Sequence, residues 1–251
     1  MADPGLAVAA FRRVLLPGAE ERALGRIATE PQQKRAMDQF RRAVERAPDV
    51  RTALRDPRVL QVIATALGIP EAASQSGLAT RALLSDLSDP KSVANQLTDK
   101  RWKYAAETLQ LATKGIGGLR DAAVQTSLAD GLRRSQWNRN LENEQPGLGD
   151  AVLFRERAGS VDNNIYAVLG DAILRRVVTG ALGLPNIIAI QSVETQARAV
   201  SSRFDIRKLE NPKEVQRLAE RYLLNRANES AAADGGNLPA RYGFPQGGFA
   251  I

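Results

Sequence analysis

The sequence predicts an all-α protein, and three observations carry that prediction. Aromatic residues make up 5% of the chain while Ala, Leu, Val and Arg abound, and few alternating β-branched runs occur. The phrase ATALGIP at Ala64–Pro70 returns as TGALGLP at Thr179–Pro185, and both read as the closing turn of a helix. Each phrase is preceded by an Asp cap and an apolar stripe of helical period.

The elements follow in chain order. Residues 1–18 hold at most a short helix around Leu6 to Leu16 and are expected to be partly ordered at best. A first helical unit is expected over 19–115. Within it FRRAVERAPDV, from Phe40, is an amphipathic piece leading to an Asp cap. In DPRVLQVIATALGIP, Asp56 is an N-cap and Pro57 takes the first helical position, where its missing N–H costs nothing. Val59, Val62, Ile63, Ala66 and Leu67 then line one face of a helix from about Pro57 to Leu67. Gly68 can adopt the left-handed conformation that ends the helix, Ile69 can fold back on the last turn, and Pro70 bars the helix from resuming. DPKSV repeats the opening at Asp89, with Val93 starting a stripe. DKRWKYAAETLQL sets Trp102, Ala105, Ala106 and Leu109 behind an Asp99 cap and loses the fifth apolar place to Gln110.

A bridging helix and turn are expected over 116–150, the helix running from about Leu119 to Glu142 with Leu128, Leu132, Trp137 and Leu141 as its stripe. A second helical unit over 151–227 retraces the first. FRERAGSVDNN begins at Phe154, and DAILRRVVTGALGLP follows with an Asp171 cap, a stripe of Leu174, Val177, Val178, Ala181 and Leu182, and a stop at Gly183. NPKEV then opens the last helix with Asn211 as cap and Val215 on its stripe. Agreement of cap, stripe and stop together predicts a duplicated multi-helix unit. Residues 228–251 are too rich in Gly, Pro and Ala to hold a core and are expected to form a disordered tail. Its Tyr242, Phe244 and Phe249 could serve as a short docking segment.

Composition narrows the chemistry. The 251 residues include neither cysteine nor histidine. That excludes a disulfide, a thiolate nucleophile, a zinc site of the usual kind and a Ser-His-Asp triad. A catalyst would have to rest on carboxylates, Lys or Tyr, and no catalytic residue, cofactor or metal site is expected. The formal charge of +7, from 35 Lys and Arg against 28 Asp and Glu, favours acidic partners only weakly, because most basic residues have an acid nearby. No run approaches the roughly 20 apolar residues that would span a bilayer. The opening MADPGLAVAAFRRVLLPG has Asp and Pro where a secretory leader needs positive charge. A soluble chain, cytoplasmic at synthesis and without a cleavable signal, is expected.

Several clusters invite a functional reading, each beside a plainer one. KGIGGL at Lys114–Leu119 lacks the Gly-Lys-Ser/Thr of a phosphate loop and reads as a helix-to-helix turn. Glu142 with Glu144, and Asp86 with Asp89, lie outside any calcium-loop pattern and read as solvated acids. Lys213, Arg217 and Arg221 recur every four residues along the last helix and could meet phosphates or an acidic partner, although Glu214 and Glu220 interrupt the stripe as on a solvated helix surface. Arg133 and Arg134 flank Trp137, an arrangement able to stack a base, although a Trp on a helical stripe is more often core. These five basic residues are the candidate partner-binding positions.

Four long stretches, taken in order, resemble a bacterial family of unknown function typical of alphaproteobacteria and found in flagellar gene clusters. They are DQFRRAVERAPDVRTALRDPRVLQVIATALGIP, LSDPKSVANQLTDKRWKYAAETLQL, LENEQPGLGDAVLFRERAGSVDNNIYAVLGDAILRRVVTGALGLPNIIAIQSVETQARAV and DIRKLENPKEVQRLAERYLL. The likeness covers most of 35–226. Leu111 and Ala112 depart from it, standing where the family has a Gly-Phe style stop. The resemblance implies a helical, non-enzymatic protein of flagellar assembly or motility that acts through contacts with flagellar or assembly proteins. It also implies a chain that is flagellum-associated or exported without a cleavable leader. The alternative is a basic helical protein associated with nucleic acid.

Overall fold

A computed structural model describes residues 4–97, 99–161 and 163–235. Among these the chain forms α-helices and short 3-10 turns and no strand, and no helix is long and apolar enough to cross a membrane. The helices are α1 (Pro4–Val14), α2 (Ala19–Thr29), α3 (Pro31–Arg46), α4 (Val50–Arg55), α5 (Pro57–Ala66), α6 (Ser76–Leu83), α7 (Val93–Gln96) and α8 (Arg101–Leu109). There follow α9 (Leu111–Lys114), α10 (Ile116–Arg120), α11 (Ala122–Glu144), α12 (Leu148–Arg157), α13 (Ile165–Gly170), α14 (Ala172–Ala181), α15 (Val193–Ser201) and α16 (Pro212–Gly235). The chain divides into two compact units. One is residues 17–139, and the other is residues up to 16 together with 140 onward, so the division falls inside α11.

In the middle unit the core gathers Phe40, Leu54, Ile63, Leu83, Leu109, Leu119 and Leu128. The expected features of α5 are present. Asp56 Oδ1 accepts the Arg58 N–H at 2.8 Å, Gly68 has φ +70°, and the Ile69 N–H returns to the Ala64 carbonyl at 2.8 Å. That last bond spans the final turn and satisfies a carbonyl the helix leaves open, with Ile69 buried behind it. Trp102, Ala105, Ala106 and Leu109 are the buried face of α8. Gln110 then turns the chain in the left-handed region at φ +50°, an uncommon conformation for a residue with a Cβ.

The DPKSV segment departs from expectation. Instead of a helix from Pro90, the chain makes turns, and only the four residues of α7 are helical. Polar side chains there compete with the helix for backbone groups. Asp89 Oδ1 takes the Lys91 N–H at 2.8 Å, Ser85 Oγ takes the Ala94 N–H at 3.0 Å, and Asn95 Nδ2 donates to the carbonyls of Leu87 and Asp89. The counterpart NPKEV does open a long helix, α16, with Asn211 Oδ1 accepting from the Lys213 N–H at 3.0 Å.

In the terminal unit α16 is the central element, contacted by α1, α12 and α14. Helix α14 carries the same punctuation as α5. Asp171 Oδ1 accepts the N–H groups of Ile173 and Leu174, Gly183 has φ +63°, and the Leu184 N–H bonds the Thr179 carbonyl at 2.9 Å. Val62 and Val177, six residues past their caps, are both buried. The ends of the chain differ from their expected description. Residues 4–14 form a helix whose Ala7 and Phe11 are fully buried, because its Ala and Phe positions fall on one face. The tail expected from Asn228 instead begins as the last turns of α16, which continue to Gly235. Alanine, the strongest helix former, supplies much of that stretch. Tyr242, Phe244 and Phe249 lie outside the described residues.

Candidate functional site

Of the basic positions singled out in the sequence, Arg133, Arg134, Arg217 and Arg221 are engaged within their own units. On α16, Lys213, Arg217 and Arg221 all face outward. Arg217 pairs with Glu214 one turn earlier, and Arg221 Nε donates to the Ala181 carbonyl at the end of α14. In the middle unit, Arg133 pairs with Asp130 and Arg134 with Glu20 at 3.1 Å. Trp137 is buried, which removes its ring from any stacking surface. The acids have local duties too. Glu142 Oε1 accepts the Gly147 N–H at 2.8 Å, Glu144 pairs with Arg13, and Asp86 Oδ1 takes the Ser88 N–H and hydroxyl. Of KGIGGL, read as a helix-to-helix turn, only Gly115 lies between helices: Lys114 ends α9 and Ile116–Leu119 already belong to α10. Among the described residues no group of three acids could hold a metal ion.

A different set of residues builds a cleft in the terminal unit. Helix α14 presents Ala172, Arg175, Arg176, Thr179 and Gly180 at the spacing of one helical face. Helix α16 presents Tyr222, Asn225, Arg226 and Glu229 by the same rule, and the 3-10 turn at Asn186–Ile190 closes the side with Ile188 and Ala189. The enclosed volume is about 260 Å3.

Hydrogen bonds fix the walls of this cleft. Asn225 Nδ2 donates to the Gly180 carbonyl at 2.8 Å, and Arg175 reaches the Leu169 carbonyl at 3.1 Å. Asp150 Oδ2, from α12, accepts from Arg176 at 2.6 Å and from the Tyr222 hydroxyl at 3.1 Å. Burial pushes the Tyr222 phenol above its ordinary range, and the adjoining Asp150 charge adds to the effect. Burial alone would lower the Arg176 guanidinium, yet its bond to Asp150 and the charge behind that bond hold it above its usual value. Arg226 is the exception in this ordered set. Its Nε is sealed from solvent without an acceptor, and its head group reaches Glu229 only at 3.8 Å.

None of the cleft arginines was selected from the sequence. The available signal was weak: the tandem Arg175-Arg176 falls off the apolar stripe of its helix, where a solvated charge is ordinary, and Arg226 follows the Lys213, Arg217, Arg221 series one position off its four-residue step. Nothing in the one-dimensional pattern says that the two faces meet.

A second surface feature lies beside the cleft. In the turn and the start of α15, Ile187, Ile190 and Val193 are 61%, 79% and 46% exposed. Three large aliphatic side chains within seven residues are thus left in solvent.

A protein-family profile described as a protein of unknown function (DUF1217) matches residues 73–215. The fold is similar to that of an Agrobacterium tumefaciens protein whose X-ray crystal structure was solved as a structural-genomics target. The TM-score is 0.70 at 19% identity, over 90% of this chain and 95% of that one. At that identity the likeness is one of fold. Among curated proteins none matches the chain.

Proposed function

The chain belongs to the DUF1217 family, and from that premise we propose that it is a non-enzymatic structural or assembly protein that works through protein–protein contacts in the flagellar system. The observation that supports contact-making is the exposed run of Ile187, Ile190 and Val193, since clustered apolar surface on a folded chain marks interaction sites. The flagellar setting rests on the resemblance of the four ordered stretches. The nucleic-acid reading draws less support, because phosphates would have to displace the partners already held by Arg133, Arg134, Arg217 and Arg221.

The test is a deletion strain scored for swimming and complemented with the parent chain or with Ile190→Glu, alongside affinity recovery of each tagged chain from motile cells. Impaired swimming, restored by the parent but not by the variant, with a flagellar component retained only by the parent, is the expected result. Normal swimming of the deletion strain, with no flagellar component recovered, would remove the proposal.

A further inference from the structure

We propose that the cleft between α14 and α16 is a binding site for a small phosphate monoester, with Arg226 and Arg175 as its principal anchors. This goes beyond the contact-making role above and depends on different residues.

The first reason is the state of Arg226. A guanidinium N–H that is both sealed from water and without an acceptor carries an unrecovered desolvation cost. Here the unsatisfied atom is Nε, on a residue that lines an open cleft. An oxyanion seated in that cleft would reach the terminal nitrogens of this underbonded guanidinium, whose side chain is 40% exposed, in the paired geometry that arginine offers to phosphoryl oxygens. The nearest carboxylate, Glu229, does not do this. It stands 3.8 Å away and is 57% exposed, so it can yield to a ligand without losing a close contact.

The second reason is the balance of charge. Arg175, Arg176 and Arg226 line the cleft against the single acid Glu229, and Asp150 neutralises Arg176 from α12. A net positive charge remains. Arg175 holds only a neutral carbonyl, which leaves its charge available to an anion. The third reason is the rest of the lining, where Ile188 and Ala189 of the 3-10 turn and Ala172 at the start of α14 give an apolar surface for the ester's organic group. At about 260 Å3 the space suits a compact molecule and not a polymer. A monoester carries nearly two charges at neutral pH whereas a diester carries one, so the site should prefer the former.

The probe is phenyl phosphate, titrated calorimetrically into the full chain at constant ionic strength, with inorganic phosphate as competitor and a dinucleotide phosphodiester as control. Saturable binding is expected, of order millimolar or tighter, with phosphate competing and the diester at least about tenfold weaker. Arg226→Gln and Ile188→Asp should each weaken binding at least about tenfold, while Arg217→Gln, on the outer face of α16, should leave it unchanged. Ile188→Asp sits on a partly exposed turn and keeps the test decisive if Arg226→Gln fails to fold. No saturable signal from the parent, equal affinity for the diester, or equal loss in Arg217→Gln and the cleft variants would overturn the proposal.

Discussion

The ring of Tyr222 occupies the space that a side chain at Gly180 would need. A Cβ at Gly180 would lie 2.8 Å from Tyr222 Cδ2 and 3.0 Å from Cε2, so the absence of a side chain on α14 sets how closely α16 can approach. Tyr222 is fully buried and tied at its far end by the hydroxyl bond to Asp150. Gly180→Ala should therefore destabilise the protein by about 1–2 kcal/mol, the overpacking strain exceeding the gain in helix propensity. Gly25, mid-helix in α2 with nothing within 4 Å of its would-be Cβ, supplies the control. There Ala should stabilise by up to about 1 kcal/mol. Thermal unfolding of both variants checks the pair, and shifts of the same sign would refute the packing argument.

How much was legible in the sequence follows from the range of each determinant. The caps Asp56, Asp171 and Asn211 and the stops Gly68 and Gly183 act within one helical turn, so their meaning is written in adjacent residues, and the structure bears them out. The buried faces of α8 and α11 were legible for the same reason, as periodic patterns. Asp89 misled because Ser85 and Asn95, several residues away, bind the backbone that a helix would have used. The cleft was illegible because Arg175 and Arg226 are brought together only by the packing of α14 on α16. No local pattern encodes that meeting.

The stop at Gly183 makes a sharper test of local coding. Its φ of +63° is readily adopted by glycine but strained for a β-branched residue. A Cβ there meets nothing within 4 Å, so any loss must come from the backbone and not from crowding. Gly183→Ala should cost about 1 kcal/mol and Gly183→Val more, up to about 3 kcal/mol. Urea denaturation at unchanged slope would give the difference. A valine variant as stable as the parent would contradict the assignment.

Helix α1 should behave as part of the terminal unit's core. Phe11 is fully buried, and Arg12 bonds Glu220 of α16 through two nitrogens at 3.0 and 3.1 Å. Phe11→Ala should cost about 3–5 kcal/mol. The ion pair adds a pH signature. The Arg12 hydrogen bond holds the Glu220 carboxyl below its ordinary 4.5. A depressed carboxyl contributes stability above its unfolded value and loses it as the pH falls through the folded one. Arg12→Gln should thus lower the melting midpoint at neutral pH and converge with the parent in acid. Parallel melting curves across that range would show that the pair does not couple α1 to α16.

Tyr222 should set an alkaline limit on the fold. Its phenol is raised above the ordinary 10.0, first by burial and then by the Asp150 charge. Such a group favours the folded state while it stays protonated. Its contribution is complete below pH 10, and it declines above that as the unfolded chain, but not the folded one, gives up the proton. Tyr222→Phe keeps the ring that packs on Gly180 and removes only the hydroxyl bonded to Asp150 at 3.1 Å. At neutral pH the variant should lose about 1.5–3 kcal/mol, the usual worth of a hydrogen bond to a charged group. Above pH 10 its stability should fall less steeply than the parent's, so the two curves approach one another. Tyr222 is the buried tyrosine of the described residues, since Tyr104 and Tyr166 are more than half exposed. Denaturant titrations from pH 8 to pH 11 would measure both slopes. A constant gap between parent and variant over that interval would mean that the buried phenol ionises without resisting the fold.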